Sequence, residues 1–169
     1  MNKLSKRSLI AAIGLTMAAA TVTLSSPSYA VVDNATSAVN TDEQFLAMQG
    51  YDPVAYFKSG GPQKGMKKFS VQHTGGNYYF ASAENMKAFI ANPEKYLPQY
   101  GGFCAMGTAL GKKLDGDPNV WKIVDGKLYL NVNKDVSVAW NRNLNENIQT
   151  ADDYWPELKH QTPASLNAN

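Results

Sequence analysis

Trp121-Lys122-Ile123-Val124-Asp125-Gly126-Lys127-Leu128-Tyr129-Leu130 is the stretch from which the fold can be read. Asp125-Gly126 is a strong two-residue hairpin signal, because both central positions of a type I′ turn need φ above zero. The flanking residues alternate. That pairs Trp121 with Leu130 and Ile123 with Leu128, and puts all four on one face.

A second hairpin is predicted upstream. Phe69 to Thr74 and Asn77 to Phe80 alternate on either side of Gly75-Gly76. This register sets His73 opposite Tyr78 and Val71 opposite Phe80. Phe69, Val71, His73, Tyr78 and Phe80 then share a face, with His73 at its turn end.

Helices are predicted between and after the hairpins. Ser82 caps Ala83 to Ala91, whose core stripe is Met86, Phe89 and Ile90. Asn92-Pro93 ends it. Gly101-Gly102 leads into a short helix over Phe103 to Leu110, closed by Gly111. Asn133 caps a helix with the stripe Val136, Trp140, Leu144 and Ile148. Thr150 to Asp153 reads as a capped final turn ending at Trp155-Pro156. Near the start, Thr41 is a candidate N-cap for a brief helix through Met48, and Pro53 suits the first position of a turn over Val54 to Phe57. The predicted class is small α+β: a single domain of two β-hairpins forming an antiparallel sheet packed with short helices.

The chain has 169 residues, 44% hydrophobic and 18% charged, which excludes a disordered or collagen-like chain. One cysteine excludes a disulfide within the chain and any four-cysteine zinc module. Two histidines exclude a His-rich metal site. Lys3, Lys6 and Arg7 precede the apolar run Leu9 to Ala20, and Ser28-Tyr29-Ala30 follows. This reads as a secretory leader cleaved after Ala30, with a periplasmic or secreted product and no membrane anchor left. Those three positive charges are the only charges in the leader, so its removal takes the formal charge from +2 to −1. No basic field for nucleic acid then remains. The organisation expected is 1–30 leader, 31–48 flexible lead-in and short helix, 49–158 the folded domain, and 159–169 a loose tail.

Cys104 carries a chemical argument of its own. At a helix start after two glycines, a thiol is expected to have a lowered pKa and to act as a nucleophile or soft-metal ligand. The alternative is a small buried hydrophobe. Met106 does not share its helical face and reads as core with Phe103 and Leu110. His73 is the better partner chemically, if folding brings it to Cys104. Tyr51, Tyr56, Tyr78, Tyr79, Tyr96 and Tyr100, with Asp52, form a candidate lining for a ligand pocket; Tyr51, Asp52 and Tyr56 lead that set. Asp52 before Pro53 also reads as a cap. No catalytic set, phosphate loop or dinucleotide fingerprint is visible.

Gly50-Tyr51-Asp52-Pro53-Val54-Ala55-Tyr56-Phe57, Gly76-Asn77-Tyr78-Tyr79-Phe80-Ala81-Ser82, and then Phe89, Pro93 and Tyr96 resemble the YHS domain. Tyr100-Gly101-Gly102-Phe103-Cys104-Ala105 and Gly126-Lys127-Leu128-Tyr129-Leu130-Asn131 resemble its longer secreted members. The resemblance covers Tyr51 to Trp155 and implies heavy-metal handling, with copper as a candidate. Metal-type members carry cysteines where this chain has Ala55, Ala81 and Asn85, so their ligands do not carry over. Three readings follow. One is a binding protein for copper or another soft metal through Cys104 and His73. Another is a small-ligand or protein-interaction module with a structural cysteine. The third is a single-cysteine thiol-redox protein, which needs an external thiol.

Overall fold

The computed structural model describes residues 38–58 and 60–168. The predicted leader, and residues 31–37 of the lead-in, lie outside the described residues.

The downstream hairpin forms as the alternation predicts. β3 (Asp117–Val124) and β4 (Lys127–Asn131) pair antiparallel, with Trp121 opposite Leu130, Ile123 opposite Leu128 and Val124 opposite Lys127. Asp125 and Gly126 take φ of 49° and 73°, the left-handed geometry that this turn demands.

The upstream hairpin corrects the predicted register. β1 (Met66–His73) and β2 (Gly76–Phe80) pair Val71 with Tyr78 and His73 with Gly76, not His73 with Tyr78. The turn is Thr74-Gly75, at φ 42° and 88°. Gly76 is the first residue of β2, and its lack of a side chain answers a contact there, since a Cβ would press to 3.1 Å from both Ala47 Cβ and Val39 Cγ1. The slip is by two positions, so side-chain parity survives. Tyr78 and Phe80 still enter the core, with Phe69 and Val71 packed against it.

The hairpins make two separate two-stranded sheets rather than one. Their inner faces meet in a core of Tyr56, Tyr78, Phe80, Phe89, Leu128 and Leu130, among others. β4 is buried on both faces. Leu128 and Leu130 face this core, while Tyr129 faces a second one with Tyr100, Ala105, Trp140 and Ala151. Pro98 and Cys104 bridge in parallel to Leu128 and Leu130, so the chain from 98 to 104 runs along β4 like a broken third strand. The break is Tyr100-Gly101-Gly102, all with positive φ. Gly101 is required there twice over, since a Cβ would also overlap the Ala38 carbonyl oxygen.

α1 (Ala55–Lys58) and α2 (Ala83–Ala91) match the predicted turn and helix, and Ser82 Oγ caps α2 by accepting from Asn85 N–H. Ile90 is exposed, so the α2 stripe narrows to Met86 and Phe89. α3 (Ala105–Ala109) is short, and Leu110 beyond it is exposed instead of joining the core. No helix starts at Thr41. Thr41 bridges to Ala47, and Asp42 Oδ1 accepts from Gln44 and Leu46 N–H, tightening a loop before a 3-10 turn at Met48–Gly50.

The C-terminal half departs most. One predicted helix and a final turn are instead α4 (Lys134–Arg142) and α5 (Leu144–Leu158), broken at Asn143. Asn133 caps α4 as predicted. The break frees the Trp140 carbonyl, and Asn147 Nδ2 donates to it at 2.9 Å. Pro156 lies inside α5, near its end. Part of the expected loose tail is α6 (Pro163–Asn167), held by Asn167, which donates to the Lys113 carbonyl at 2.7 Å and accepts from Lys113 N–H at 3.2 Å.

Candidate functional site

Asp52 is fully buried. A carboxylate out of water needs several donors, and this one has them. Oδ1 accepts from Val54 N–H at 2.8 Å, and Oδ2 accepts from Ala81 N–H at 2.8 Å and Asn85 Nδ2 at 2.7 Å. It therefore caps the approach to α1 and ties that turn to the end of β2 and the start of α2. Ala55, Ala81 and Asn85, where metal-type YHS members carry cysteine, all meet here: Ala55 N–H donates to the Asp52 carbonyl at 3.3 Å. None of the three offers a soft ligand.

The two tyrosines grouped with Asp52 are also occupied. Tyr56 donates to the Pro118 carbonyl at 2.8 Å and meets the Trp121 ring edge-on at 5.2 Å, joining α1 to β3. Burial pushes its hydroxyl well above the ordinary tyrosine range, and Tyr51, Asp117 and Asp52 add to this. Tyr51 carries the Lys64 ammonium 4.0 Å from its ring centre and accepts from Asn119 Nδ2 at 3.3 Å.

Cys104 does stand at the start of a helix, as its N-cap, and it is fully buried. Its sulfur accepts from Gly107 N–H at 3.3 Å, and its thiol donates to Asn131 Oδ1 at 3.5 Å. Burial pushes the thiol pKa up, against smaller opposing pulls from the Gly107, Val132 and Met106 amides. The expected lowering does not occur, because the five-residue α3 has only a small dipole and desolvation outweighs it. A protonated thiol suits the geometry, since it both gives and takes a hydrogen bond.

His73 lies at the end of β1, paired with Gly76, whereas Cys104 bridges to Leu130 of β4. Its ring meets Phe89 edge-on at 5.7 Å. Its Nε2 is buried without a hydrogen-bond partner, 3.8 Å from Glu94 Oε1. Among the described residues, no group of three or more His, Cys, Asp or Glu side chains is placed to hold a metal ion.

A different place is open. A groove of about 500 Å³ lies where the chain before β4 meets α5, lined by Tyr78, Leu97, Tyr100 and Trp155, with Glu94 and Asp152 in its wall. Tyr100 and Trp155 make an aromatic corner, ring centres 5.9 Å apart at 64°. The Tyr100 hydroxyl donates to Asp152 Oδ1 at 2.9 Å, and burial, then Asp152, hold it well above its ordinary range. Beside this corner Lys113 is buried. Its ammonium lies 5.1 Å and 5.5 Å from the Phe103 and Trp155 ring centres and donates to the Lys159 and Gln161 carbonyls. Burial lowers its pKa to about 8.

Tyr78 and Tyr100 belong to the tyrosine set that the sequence singles out. Trp155, Asp152 and Lys113 do not. The signal for Trp155 was present: Leu144, Ile148, Ala151, Trp155 continue one helical stripe, which the following proline masks. Comparison of the chain with protein-family models, curated proteins and solved structures found no match. The fold and the groove define a small α+β domain with a cleft beside Trp155.

Proposed function

We propose that this chain is an exported binding module of the YHS type that takes a small organic ligand, with Cys104 as part of its framework. The groove at Tyr78, Tyr100 and Trp155 carries this reading. It is concave and mixes Leu97, Pro98, Tyr100 and Trp155 with the polar side chains of Glu94, Gln99, Asp152 and Lys159, and a concave site with apolar walls and placed polar groups is where small ligands bind. The Tyr51, Asp52, Tyr56 set supplies rigidity instead, because each polar atom discussed above already has a partner. The soft-metal reading through Cys104 and His73 has less support. The thiol is buried and engaged as a cap, and the His73 ring lies against Phe89 and Glu94.

Native mass spectrometry of the exported, untagged protein tests this. A bound organic mass, lost when Trp155 is replaced by alanine, is the expected result. Stoichiometric metal that disappears in Cys104→Ser would overturn it. The same spectrum checks export: the mature chain begins at Val31.

A further inference from the structure

We propose that the groove takes a small organic ammonium ion, an inference that rests on the small-ligand reading above. Two features of the groove select charge. The first is its carboxylates. Asp152 is held at one oxygen by the Tyr100 hydroxyl, which keeps its other oxygen for a second donor. Glu94, which also lines the groove, is largely exposed at 83% of its side chain and faces His73 Nε2 at 3.8 Å. Of the charged side chains that line the groove, Glu94 and Asp152 are acidic and Lys159 is basic.

The second feature is aromatic. Ring faces attract cations through the quadrupole of the π system, and tryptophan is the strongest of them. At the groove this ring is Trp155, half-buried and packed edge-on against the buried Tyr100 ring at 64°. The fold already seats one ammonium against Trp155: the buried Lys113, completed by two carbonyls. A neutral aromatic ligand would gain only the apolar contact, and an anion would meet Asp152 and Glu94 directly. An ammonium gains from both features, and a volume of about 500 Å³ suits a small free amine.

Benzylammonium, benzyl alcohol and benzoate share one ring and differ in charge, so they test the idea at neutral pH. The readout is the Trp155 indole N–H resonance, assigned with Trp155→Phe. Benzylammonium should shift it, with at least tenfold weaker binding of the other two. Asp152→Asn keeps the acceptor for Tyr100 and removes the charge; it should weaken benzylammonium by about tenfold, the effect of losing one charged hydrogen bond. Glu94→Gln should weaken it less. If benzyl alcohol or benzoate binds as well as the amine, the ammonium proposal falls and the small-ligand reading survives. If amine binding is unchanged in both charge variants, the proposal also falls. If none of the three probes moves the Trp155 resonance, both fall together.

Discussion

Asn85 Nδ2 lies 2.7 Å from Asp52 Oδ2, across 33 residues of chain. The same carboxylate holds Val54 and Ala81 N–H, so one buried anion fastens α1, β2 and α2 to each other. Asn85→Ala removes one charge-assisted hydrogen bond and should cost about 1.5–3 kcal/mol. Asp52→Ala leaves three donors unsatisfied and should cost more than that. Urea midpoints check both. Wild-type stability in Asp52→Ala would mean that water replaces the carboxylate.

The Cys104 cap makes a prediction about substitution. Serine can donate to Asn131 Oδ1 and accept from Gly107 N–H as the thiol does, and it is a favoured N-cap. Cys104→Ser should therefore be close to neutral, whereas Cys104→Ala should lose about 1 kcal/mol. Thiol reagents should label the wild type only after denaturation. Rapid labelling of the folded protein at neutral pH would show that the sulfur is exposed and ionised.

Trp140 is fully buried, and its indole nitrogen has no hydrogen-bond partner among the described residues. Its contribution is then almost all packing, including the Tyr129 ring at 5.2 Å. Trp140→Ala should cost about 3–5 kcal/mol, a large share of the roughly 5–15 kcal/mol typical of a domain. Trp140→Phe should cost much less, because no hydrogen bond is lost. Equal melting temperatures for the two variants would contradict a packing role.

The local rules made the downstream hairpin, α2 and the caps at Ser82 and Asn133 legible, because turn chemistry and parity act over a few residues. The upstream register was misread through a tertiary contact: Gly76 is small for Ala47 and Val39, not for the turn. The Cys104 pKa was misread for the same kind of reason, since position in a helix is local but burial against β4 is not. Asp52 was legible as a cap, yet its two longest-range partners, Ala81 and Asn85, come from the fold alone. The groove depends on α5 running through Pro156, and a proline normally argues for a helix end.

Alkaline pH should act on this protein in two opposed steps. Lys113 holds its proton up to about pH 8 when folded, against 10.5 in its ordinary state. Between those values the unfolded chain binds more protons, so this group makes stability rise with pH. Tyrosine works the other way. Tyr129 is pushed to about 12 by burial, then by Asp152 and Asp125, from an ordinary 10.0. Tyr56, Tyr78 and Tyr100 are raised as well, each chiefly by burial. A phenol with a raised folded pKa contributes its full stability below pH 10, and that contribution is lost as pH climbs through the folded value. The denaturation midpoint should thus gain modestly above pH 8 and fall steeply above pH 10. Lys113→Met should flatten the first step and leave the second. The tyrosinate absorbance of these four should appear together with unfolding rather than before it. Ionisation of Tyr56, Tyr78, Tyr100 and Tyr129 near pH 10 in a chain that stays folded, read from their ring resonances, would mean that these hydroxyls face water.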